Sequence, residues 1–246
     1  NFYLSASCGA ACYPKDGMDR DELIMYANLA LYQAKQTQNV VQFYNEQLGQ
    51  MLLRRTNIRN ALPNALENNE LELFYQPQIH PGSERLLGFE ALLRWHSPTL
   101  GEVSPLEFIG IAEESRLIHK IGDWVLRSAC QTLRQINERF QSSFVMAVNV
   151  LGIQLQTDRF VDRVFAILEE TNVRPELLEL EVTESVLVNR EQRNIEKLNK
   201  FYDCGVRVAL DDFGTGFSSL SLLKDLKIST LKIDKAFIQD SSVSGI

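Results

Sequence analysis

Short apolar segments that alternate with longer amphipathic ones are the feature that most constrains the fold of this chain. Six apolar segments have the length of β-strands: Glu72–Ile79, Leu87–Trp95, Val145–Val150, Leu178–Thr183, Val206–Asp211 and Thr230–Ile233. Other segments show helical spacing of apolar residues: Pro105–Ser115, Ile118–Phe140, Asp158–Thr171, Arg190–Cys204 and Ser219–Leu226. This alternation predicts an α/β fold in which helices cover a parallel sheet.

The residues before the first of these strands follow a different pattern. Residues 1–12 alternate as a strand does, a helix is predicted from about Asp21 to Lys35, and residues 40–44 are predicted as a second short strand. From Gln47 to about Asn68, apolar residues recur at helical spacing among charges, which is typical of an amphipathic connecting helix. The predicted domains are residues 1–45, a connecting helix over residues 46–68, and residues 69–246.

The composition excludes several classes of protein. With 45% hydrophobic and 23% charged residues, the chain is globular rather than disordered. Its formal charge of −7 argues against a dedicated DNA or RNA groove, because such a groove needs clustered Lys and Arg.

No run of about eighteen apolar residues occurs, and we expect a cytoplasmic location. Because the start has neither Met nor a signal sequence, we expect a longer parent, whose upstream sensor or membrane segment this sequence would not reveal.

The cysteines and histidines do not suggest a zinc or copper site. The four cysteines form no Cys-x-x-Cys pair, and no histidines stand at zinc-ligand spacing. We therefore expect Cys8, Cys12, Cys130 and Cys204 to be reduced and mostly buried thiols. The three histidines are scattered, and we expect structural roles for them.

Polar residues cluster where the predicted strands end. Five of them lie on or just after otherwise apolar strands: Glu90, Asn149, Glu181, Asp211 and Asp212. One such residue alone is usually a cap for the next helix, but in a β/α barrel the strand ends share the face that carries the chemistry. Oxygen ligands without clustered Cys or His suit Mg²⁺ or Mn²⁺. Adjacent Asp211 and Asp212 could serve two metals, and a metal pair can activate water and stabilise the leaving oxygen in phosphodiester cleavage.

Two further features near these strands have open interpretations. Lys232, with Asp234 two residues later, could present its ammonium to the same face, or it could be an ordinary exposed strand residue. Residues 212–219 contain two glycines between a strand and a helix, which fits either an ordinary turn with a helix cap or a mobile active-site loop. A Gly-x-Gly pair alone is not a dinucleotide-binding fingerprint.

An ordered set of motifs over about residues 71–238 resembles the EAL family of cyclic-di-GMP phosphodiesterases. The motifs include Tyr75-Gln76-Pro77, Glu90-Ala91-Leu92, Val148-Asn149-Val150, Glu181-Val182-Thr183-Glu184, Asp211-Asp212-Phe213-Gly214 and Leu231-Lys232-Ile233-Asp234. The resemblance implies a (β/α)8 TIM-like barrel that cleaves cyclic di-GMP to linear pGpG in bacterial signalling. It also implies a two-metal site for Mg²⁺ or Mn²⁺, and it is compatible with a homodimer.

The resemblance further implies roles for individual residues. Metal ligands are implied at Glu90, Asn149, Glu181, Asp211 and Asp212, and substrate-binding residues at Gln76, Leu92, Arg94 and Asp234. Lys232 matches a lysine near the attacking water, Asp212 matches a ligand of the second metal with an implied catalytic role, and Glu184 matches the acid that holds the Gly-rich loop. Because these positions are all of the active type, they favour an enzyme over the alternative, a non-catalytic cyclic-di-GMP receptor or regulatory module. Arg94 and Gln76 count against a mere protein-interaction module.

Both ends of the chain depart from the complete family pattern. The EAL family continues past the Lys-Ile-Asp strand with a further metal-site glutamate and a glutamine-containing loop, which do not occur before Ile246. We therefore expect the barrel to be C-terminally incomplete and the chain to be impaired as an enzyme. Residues 1–44 resemble the last third of a GGDEF domain through Ser7-Cys8-Gly9-Ala10 and residues 27–35, although Asn28 replaces the usual Asp. The expected front segment is thus a C-terminal fragment of an α/β GGDEF-like domain.

Overall fold

The computed structural model describes residues 5–37, 40–184, 186, 192–214 and 224–234. The chain divides into two compact units, Asn1–Asn64 and Ala65–Ile246. Elements of the first unit are strand β1 (Cys8–Ala10), helix α1 (Arg20–Thr37), strand β2 (Val41–Phe43) and nearly all of helix α2 (Glu46–Ala65). Within the described ranges, no helix combines the length and the apolar character needed to cross a bilayer.

The first unit contains a strand, a helix and a second strand that pairs parallel with the first. β1 and β2 are in register from Cys8 with Val41, and α1 is the crossover that a parallel pair requires. The side chain of Asp19 caps α1, since its Oδ1 accepts the backbone N–H groups of Asp21 and Glu22 at 2.8 and 2.9 Å. Two backbone N–H groups of the first turn of α1 are thereby satisfied.

The second unit is a sheet with helices between most of its strands. Its strands are β3 (Leu71–Ile79), β4 (Leu86–Ser97), β5 (Gly101–Val103), β6 (Val145–Asn149), β7 (Leu178–Thr183), β8 (Arg207–Phe213) and β9 (Thr230–Ile233). Its helices are α3 (Pro105–Glu114), α4 (Ile118–Phe140), α5 (Gly152–Gln156), α6 (Phe160–Thr171) and α7 (Gln192–Asp203), with a 3₁₀ turn at Pro175–Leu177. The sheet order is β3-β4-β6-β7-β8-β9, and β5 pairs with β4.

The first strand of this sheet corrects the sequence prediction of a parallel sheet. β4, β6, β7, β8 and β9 are parallel neighbours, but β3 is antiparallel to β4. Residues 80–85, which join β3 to β4, are too few for the helical crossover that a parallel pair needs. A hairpin is the connection that this length allows.

Short elements account for most of the other differences. β5, α5 and the 3₁₀ turn were not predicted, because three to five residues are too few to establish a period. The predicted strand over residues 1–12 is confined, in the described part, to Cys8–Ala10, and the helix predicted to reach Asn68 ends at Ala65. Most of the helix predicted at Ser219–Leu226 lies outside the described residues.

The core lies between the sheet and its covering helices. Leu180 and Val182 of β7 are fully buried, and Trp95 of β4 meets Phe108 of α3 edge to face, with 5.4 Å between ring centroids. The four cysteines are free thiols in the structure. The prediction that they are mostly buried is wrong, since only Cys130 is buried. Cys204 follows the C-terminal end of α7 and is exposed there.

Candidate active site

The parallel strands bring five polar side chains to one edge of the sheet. These side chains lie on successive neighbouring strands: Glu90, Asn149, Glu181, Asp211 and Lys232. Alternation along each strand explains their direction. Leu180 and Val182 are buried on one face of β7, so Glu181 between them projects from the other face. These side chains therefore gather on one face of the sheet, near the C-terminal ends of β6, β7, β8 and β9 and within β4.

Lys232 connects three of these carboxylates. Its Nζ donates to Glu181 Oε2 at 2.8 Å and to Glu90 Oε2 at 3.1 Å, and it lies 3.5 Å from Asp211 Oδ2. The Lys232 side chain is 26% exposed, whereas that of Glu181 is 0% exposed. Charge-assisted hydrogen bonds in such a partly buried place are stronger than those between exposed side chains. Lys232 is therefore a central residue of the site and not a free surface lysine.

Glu181 is the most perturbed acid of the cluster. Burial raises its pKa to about 7; the hydrogen bond from Lys232 opposes this rise, while the negative charge of Glu90 adds to it. For Lys232, burial lowers the pKa, but the hydrogen bond and charge of Glu181 with the charge of Glu90 raise it overall. Glu181 Oε1 is buried and has no hydrogen-bond partner within the described ranges. One oxygen of Glu181 thus remains available as an acceptor or ligand.

Asn149 holds Glu90 from the other side. The Asn149 amide Nδ2 donates to Glu90 Oε1 at 3.0 Å, while Lys232 donates to Oε2 of the same carboxylate. Both oxygens of Glu90 are therefore hydrogen bonded, by groups from two different strands. This arrangement fixes the orientation of the Glu90 carboxylate at the edge of the sheet.

Asp212 lies next to the cluster in a different backbone conformation from its neighbour. Its φ of 55° is in the left-handed region, and the pairing of β8 with β9 is irregular between Leu210 and Phe213. The Asp212 N–H donates to Asp211 Oδ1 at 3.0 Å. Burial, followed by the charges of Asp211 and Asp234, raises the pKa of Asp212. The two adjacent aspartates are thus not equivalent, and Asp234 is near enough to act on Asp212 electrostatically.

Glu184 follows β7 as a buried acid. It is 6% exposed, and neither of its carboxylate oxygens has a hydrogen-bond partner in the part of the chain that is described. The Gly-rich segment that it is predicted to hold is described only as far as Gly214, and residues 215–219 lie outside the described residues. The role of Glu184 stays a prediction.

The three predicted substrate residues on the hairpin share the face of Glu90. Gln76 of β3 pairs in register with Glu90, and Leu92 and Arg94 follow Glu90 at steps of two residues. Arg94 Nη1 donates to the Leu93 carbonyl at 2.9 Å, and its guanidinium carbon lies 5.5 Å from the centroid of the Phe74 ring. The structure therefore places these residues on the face of the hairpin that carries Glu90.

Sequence reasoning missed two residues below this cluster. Glu179 of β7 and Thr230 of β9 point to the same face as Glu181 and Lys232, and they are hydrogen bonded to each other. The signal was available, because Glu179 and Glu181 are two acids at strand period in an otherwise apolar strand. Together with Lys232, they line a cavity of about 950 Å³.

The chemistry of the donors fits a hard divalent cation. Among the described residues, no group of three His, Cys, Asp or Glu side chains is already arranged around a metal position. The Lys232 ammonium lies among the carboxylates instead and balances part of their charge. The oxygen-rich set and the unpartnered Glu181 Oε1 are nevertheless the kind of donors that Mg²⁺ and Mn²⁺ bind.

Known proteins with a similar sequence align with this chain over nearly its whole length. The family model described as "EAL domain" matches residues 59–245. Cyclic di-GMP phosphodiesterase NbdA of Pseudomonas aeruginosa is 38% identical over 242 residues, which are 98% of this chain and 31% of that protein. MucR of the same species, a bifunctional diguanylate cyclase/cyclic di-GMP phosphodiesterase, is 38% identical over 238 residues, 96% of this chain and 35% of that protein. This chain thus spans about a third of the length of these relatives.

Solved structures with a similar fold include complexes with a cyclic dinucleotide. The PaMucR phosphodiesterase in complex with c-di-GMP matches with a TM-score of 0.72 and 38% identity, over 76% of this chain and 75% of that one. The FimX EAL domain from Pseudomonas aeruginosa bound to c-di-GMP matches with a TM-score of 0.66 and 26% identity, over 75% of this chain and 74% of that one.

Proposed function

Because this chain belongs to the EAL domain family, we propose that it is a divalent-metal-dependent phosphodiesterase that hydrolyses cyclic di-GMP to linear pGpG. The membership supports the predicted α/β, TIM-barrel-like fold of the second unit. The observation that carries the proposal is the Lys232 cluster, in which one ammonium holds three strand-end carboxylates beside Arg94 and Gln76. NbdA and MucR bear the name of this activity, and both align with the part of the chain that contains the cluster.

The residues of the cluster divide the work of binding and catalysis. In our proposal Gln76, Leu92, Arg94 and Asp234 bind the nucleotide, with the Arg94 guanidinium donating to a phosphate. Lys232 offsets the charge that develops on the phosphate and orients the attacking water. Its partly buried position makes this interaction stronger than it would be in bulk water. Glu184 holds the Gly-rich segment near the bound nucleotide.

We propose that a metal pair completes the site. Its ligands would be Glu90, Asn149, Glu181, Asp211 and Asp212, with Mg²⁺ or Mn²⁺ as the ion. When bound, such ions activate water and stabilise the leaving oxygen of a phosphodiester. Glu181 supports this assignment, because a buried carboxylate with one unpartnered oxygen gains from a cation beside it.

The front of the chain supports a second, separate proposal. We infer that residues 1–45 are the C-terminal fragment of a GGDEF-like domain and that residues 46–68 connect it to the EAL domain of residues 69–246. Parallel β1 and β2 with α1 between them fit part of an α/β domain. MucR, which also bears the name of a diguanylate cyclase, aligns over 96% of this chain.

Chromatographic detection of pGpG tests the proposed activity. The purified chain is incubated with cyclic di-GMP and Mg²⁺ or Mn²⁺, and we expect pGpG to form and excess chelator to abolish its formation. Lys232→Met should reduce turnover at least about a hundredfold, which is about 2.7 kcal/mol of transition-state stabilisation. Lys227→Met is the matched control, because Lys227 pairs with Asp203 on an exposed surface.

Two results of this assay would change the proposal. Tight calorimetric binding of cyclic di-GMP without pGpG formation would favour the alternative, a non-catalytic receptor. If the chain neither binds nor hydrolyses cyclic di-GMP, both functions are contradicted. The predicted impairment of this chain is a separate proposal, which a comparison of its turnover with that of MucR tests.

A further inference from the structure

A second buried glutamate lies on β7 below the Lys232 cluster, and the proposed mechanism gives it no role. Glu179 is 4% exposed, and its Oε2 accepts a hydrogen bond from Thr230 Oγ1 at 2.7 Å. Glu179 precedes Glu181 by two residues, and Thr230 precedes Lys232 by two residues. Both members of each pair therefore project from the same face of their strand.

Two side-chain contacts, one above the other, therefore join β7 to β9 across β8. The lower contact is the hydrogen bond from Thr230 to Glu179, and the upper is the 2.8 Å bond from Lys232 Nζ to Glu181 Oε2. Between them, β8 presents Ala209, which pairs in register with both Glu181 and Thr230. Because the alanine side chain is a single methyl group, side chains of β7 and β9 can meet over it.

The backbone pairing of β9 with β8 becomes irregular near Lys232. β9 pairs with β8 at Thr230 and Leu231, and the register then shifts before Ile233 pairs with Phe213. Lys232 therefore lies at the irregular part of the pairing. Thr230 and Leu231 are the two residues paired before the shift. Of these two, Thr230 has the side chain that points toward the polar face. Its hydrogen bond to Glu179 is thus placed to fix the position of the strand just before Lys232.

We propose that Glu179 and Thr230 are positioning residues, whose hydrogen bond holds β9 so that the Lys232 ammonium stays among Glu181, Glu90 and Asp211. Neither residue touches the substrate in this proposal, and both act through Lys232. A displacement of about 1 Å in a catalytic group can lower a rate by about a hundredfold. The effect on turnover rests on the proposed phosphodiesterase function, whereas the effect on the position of Lys232 does not.

Removal of the Thr230 hydroxyl tests this proposal. Thr230→Val keeps the shape of the side chain, and we expect kcat to fall at least about tenfold while KM stays within about twofold. Thr230→Ser restores the donor and should return kcat to within about twofold of the original chain. Thr132→Val is the matched control, because Thr132 Oγ1 of α4 also accepts a side-chain hydrogen bond, from Tyr75 Oη at 2.9 Å, and Tyr75 projects from the face of β3 opposite to that of Gln76 and Glu90. We expect it to leave kcat unchanged.

A second readout does not depend on turnover. Lysines are acylated briefly with a small amine-reactive acylating reagent. The modification of Lys232 is measured by mass spectrometry relative to that of exposed Lys120. Thr230→Val should increase the relative labelling of Lys232 by about threefold or more, since a released ammonium is more accessible. Thr230→Ser and Thr132→Val should not. If the original chain hydrolyses no cyclic di-GMP, the proposed function fails, and the labelling still tests the positioning role.

Several results would overturn the positioning role. If Thr230→Val leaves kcat and labelling unchanged, the hydrogen bond from Thr230 to Glu179 is an ordinary structural contact. The same holds if Thr230→Ser does not restore the kcat that Thr230→Val loses. An equal loss in Thr132→Val would point to general destabilisation. Should Thr230→Val not fold, Glu179→Gln carries the same test. It keeps the side-chain shape and weakens the acceptor, so we expect smaller changes than in Thr230→Val, of about threefold in kcat and about twofold in labelling.

Discussion

At the scale of single residues, the site depends on a lysine that compensates buried negative charge. Glu181 is fully buried in its side chain and carries a pKa raised to about 7 by burial, even with Lys232 bonded to it. Three carboxylates at one strand edge would repel each other without the ammonium between them. The Lys232 ammonium therefore balances part of this negative charge in the folded chain.

Replacing Lys232 should destabilise the metal-free chain. Lys232→Met leaves a buried carboxylate uncompensated, and we expect the free energy of unfolding at neutral pH to fall by about 3 kcal/mol. Adding Glu181→Gln to this variant removes the uncompensated charge and should restore part of the loss. Urea denaturation in the presence of chelator measures both effects.

A surface ion pair provides the control for this prediction. Lys227 Nζ lies 2.6 Å from Asp203 Oδ1, and both side chains are about half exposed. Because solvent screens such a pair, Lys227→Met should cost less than about 1 kcal/mol. Equal losses for the two lysine variants would show that burial of Glu181 does not set the stability of the cluster.

Asp212 allows binding and hydrolysis to be separated. Asp212→Asn keeps the shape of the side chain and removes one charge from the proposed second metal position, while the proposed nucleotide-binding residues Arg94 and Gln76 stay unchanged. We expect turnover to fall about a hundredfold, or about 2.7 kcal/mol. Affinity for cyclic di-GMP should stay within about tenfold, or about 1.4 kcal/mol. Calorimetric binding beside the pGpG assay measures both, and unchanged turnover would leave Asp212 as a turn residue only.

At the scale of secondary-structure elements, the close approach of β4 to β6 sets the position of Glu90. Gly88 pairs with Val145, and a Cβ at residue 88 would lie 2.1 Å from the Val145 carbonyl oxygen. Only glycine fits at that separation, because the neighbouring atoms belong to the backbone and cannot rotate away. Glu90 follows two residues later on the same face, so its place depends on this contact.

Gly88→Ala should therefore destabilise the second unit. The added methyl group forces the two strands apart, and we expect a loss of about 2 kcal/mol in the free energy of unfolding. Gly110→Ala is the control, since nothing lies within 4 Å of a Cβ built at Gly110 in α3. There the substitution should stabilise by about 0.5 to 1 kcal/mol, because alanine is the better helix former. Thermal or urea unfolding of both variants measures the difference, and a stable Gly88→Ala chain would contradict the close packing.

At the scale of the whole molecule, binding of a metal ion should stabilise the folded state. The proposed ligands come from four strands of one sheet, so an ion that binds them in the native state binds little to the unfolded chain. At an Mn²⁺ concentration of about a hundred times its Kd, linkage gives about 2.7 kcal/mol of stabilisation. The midpoint of thermal unfolding should rise with Mn²⁺, and Glu181→Gln should largely lose that rise. An equal rise in both chains would place the ion elsewhere.

The sequence by itself determined the family and which residues lie near the ends of the strands. Its motifs identify an EAL domain, and the predicted α/β strands end in the residues that the structure brings together. This was readable because strand period and strand-end position are local properties, and parallel strands bring their ends to one edge whatever the sequence distance between them. Glu90 and Lys232 are 142 residues apart and still meet.

Only the tertiary structure decided the pairings within and below that edge. The antiparallel β3, the left-handed Asp212 and the contact between Glu179 and Thr230 depend on how neighbouring strands align in register. Lys232 had two interpretations in the sequence, since an apolar strand with one lysine fits an exposed edge as well as a site. The structure distinguishes them because burial of Glu181 and the charge of its neighbours are properties of the assembled sheet, and no local pattern encodes the environment that side chains from other strands create.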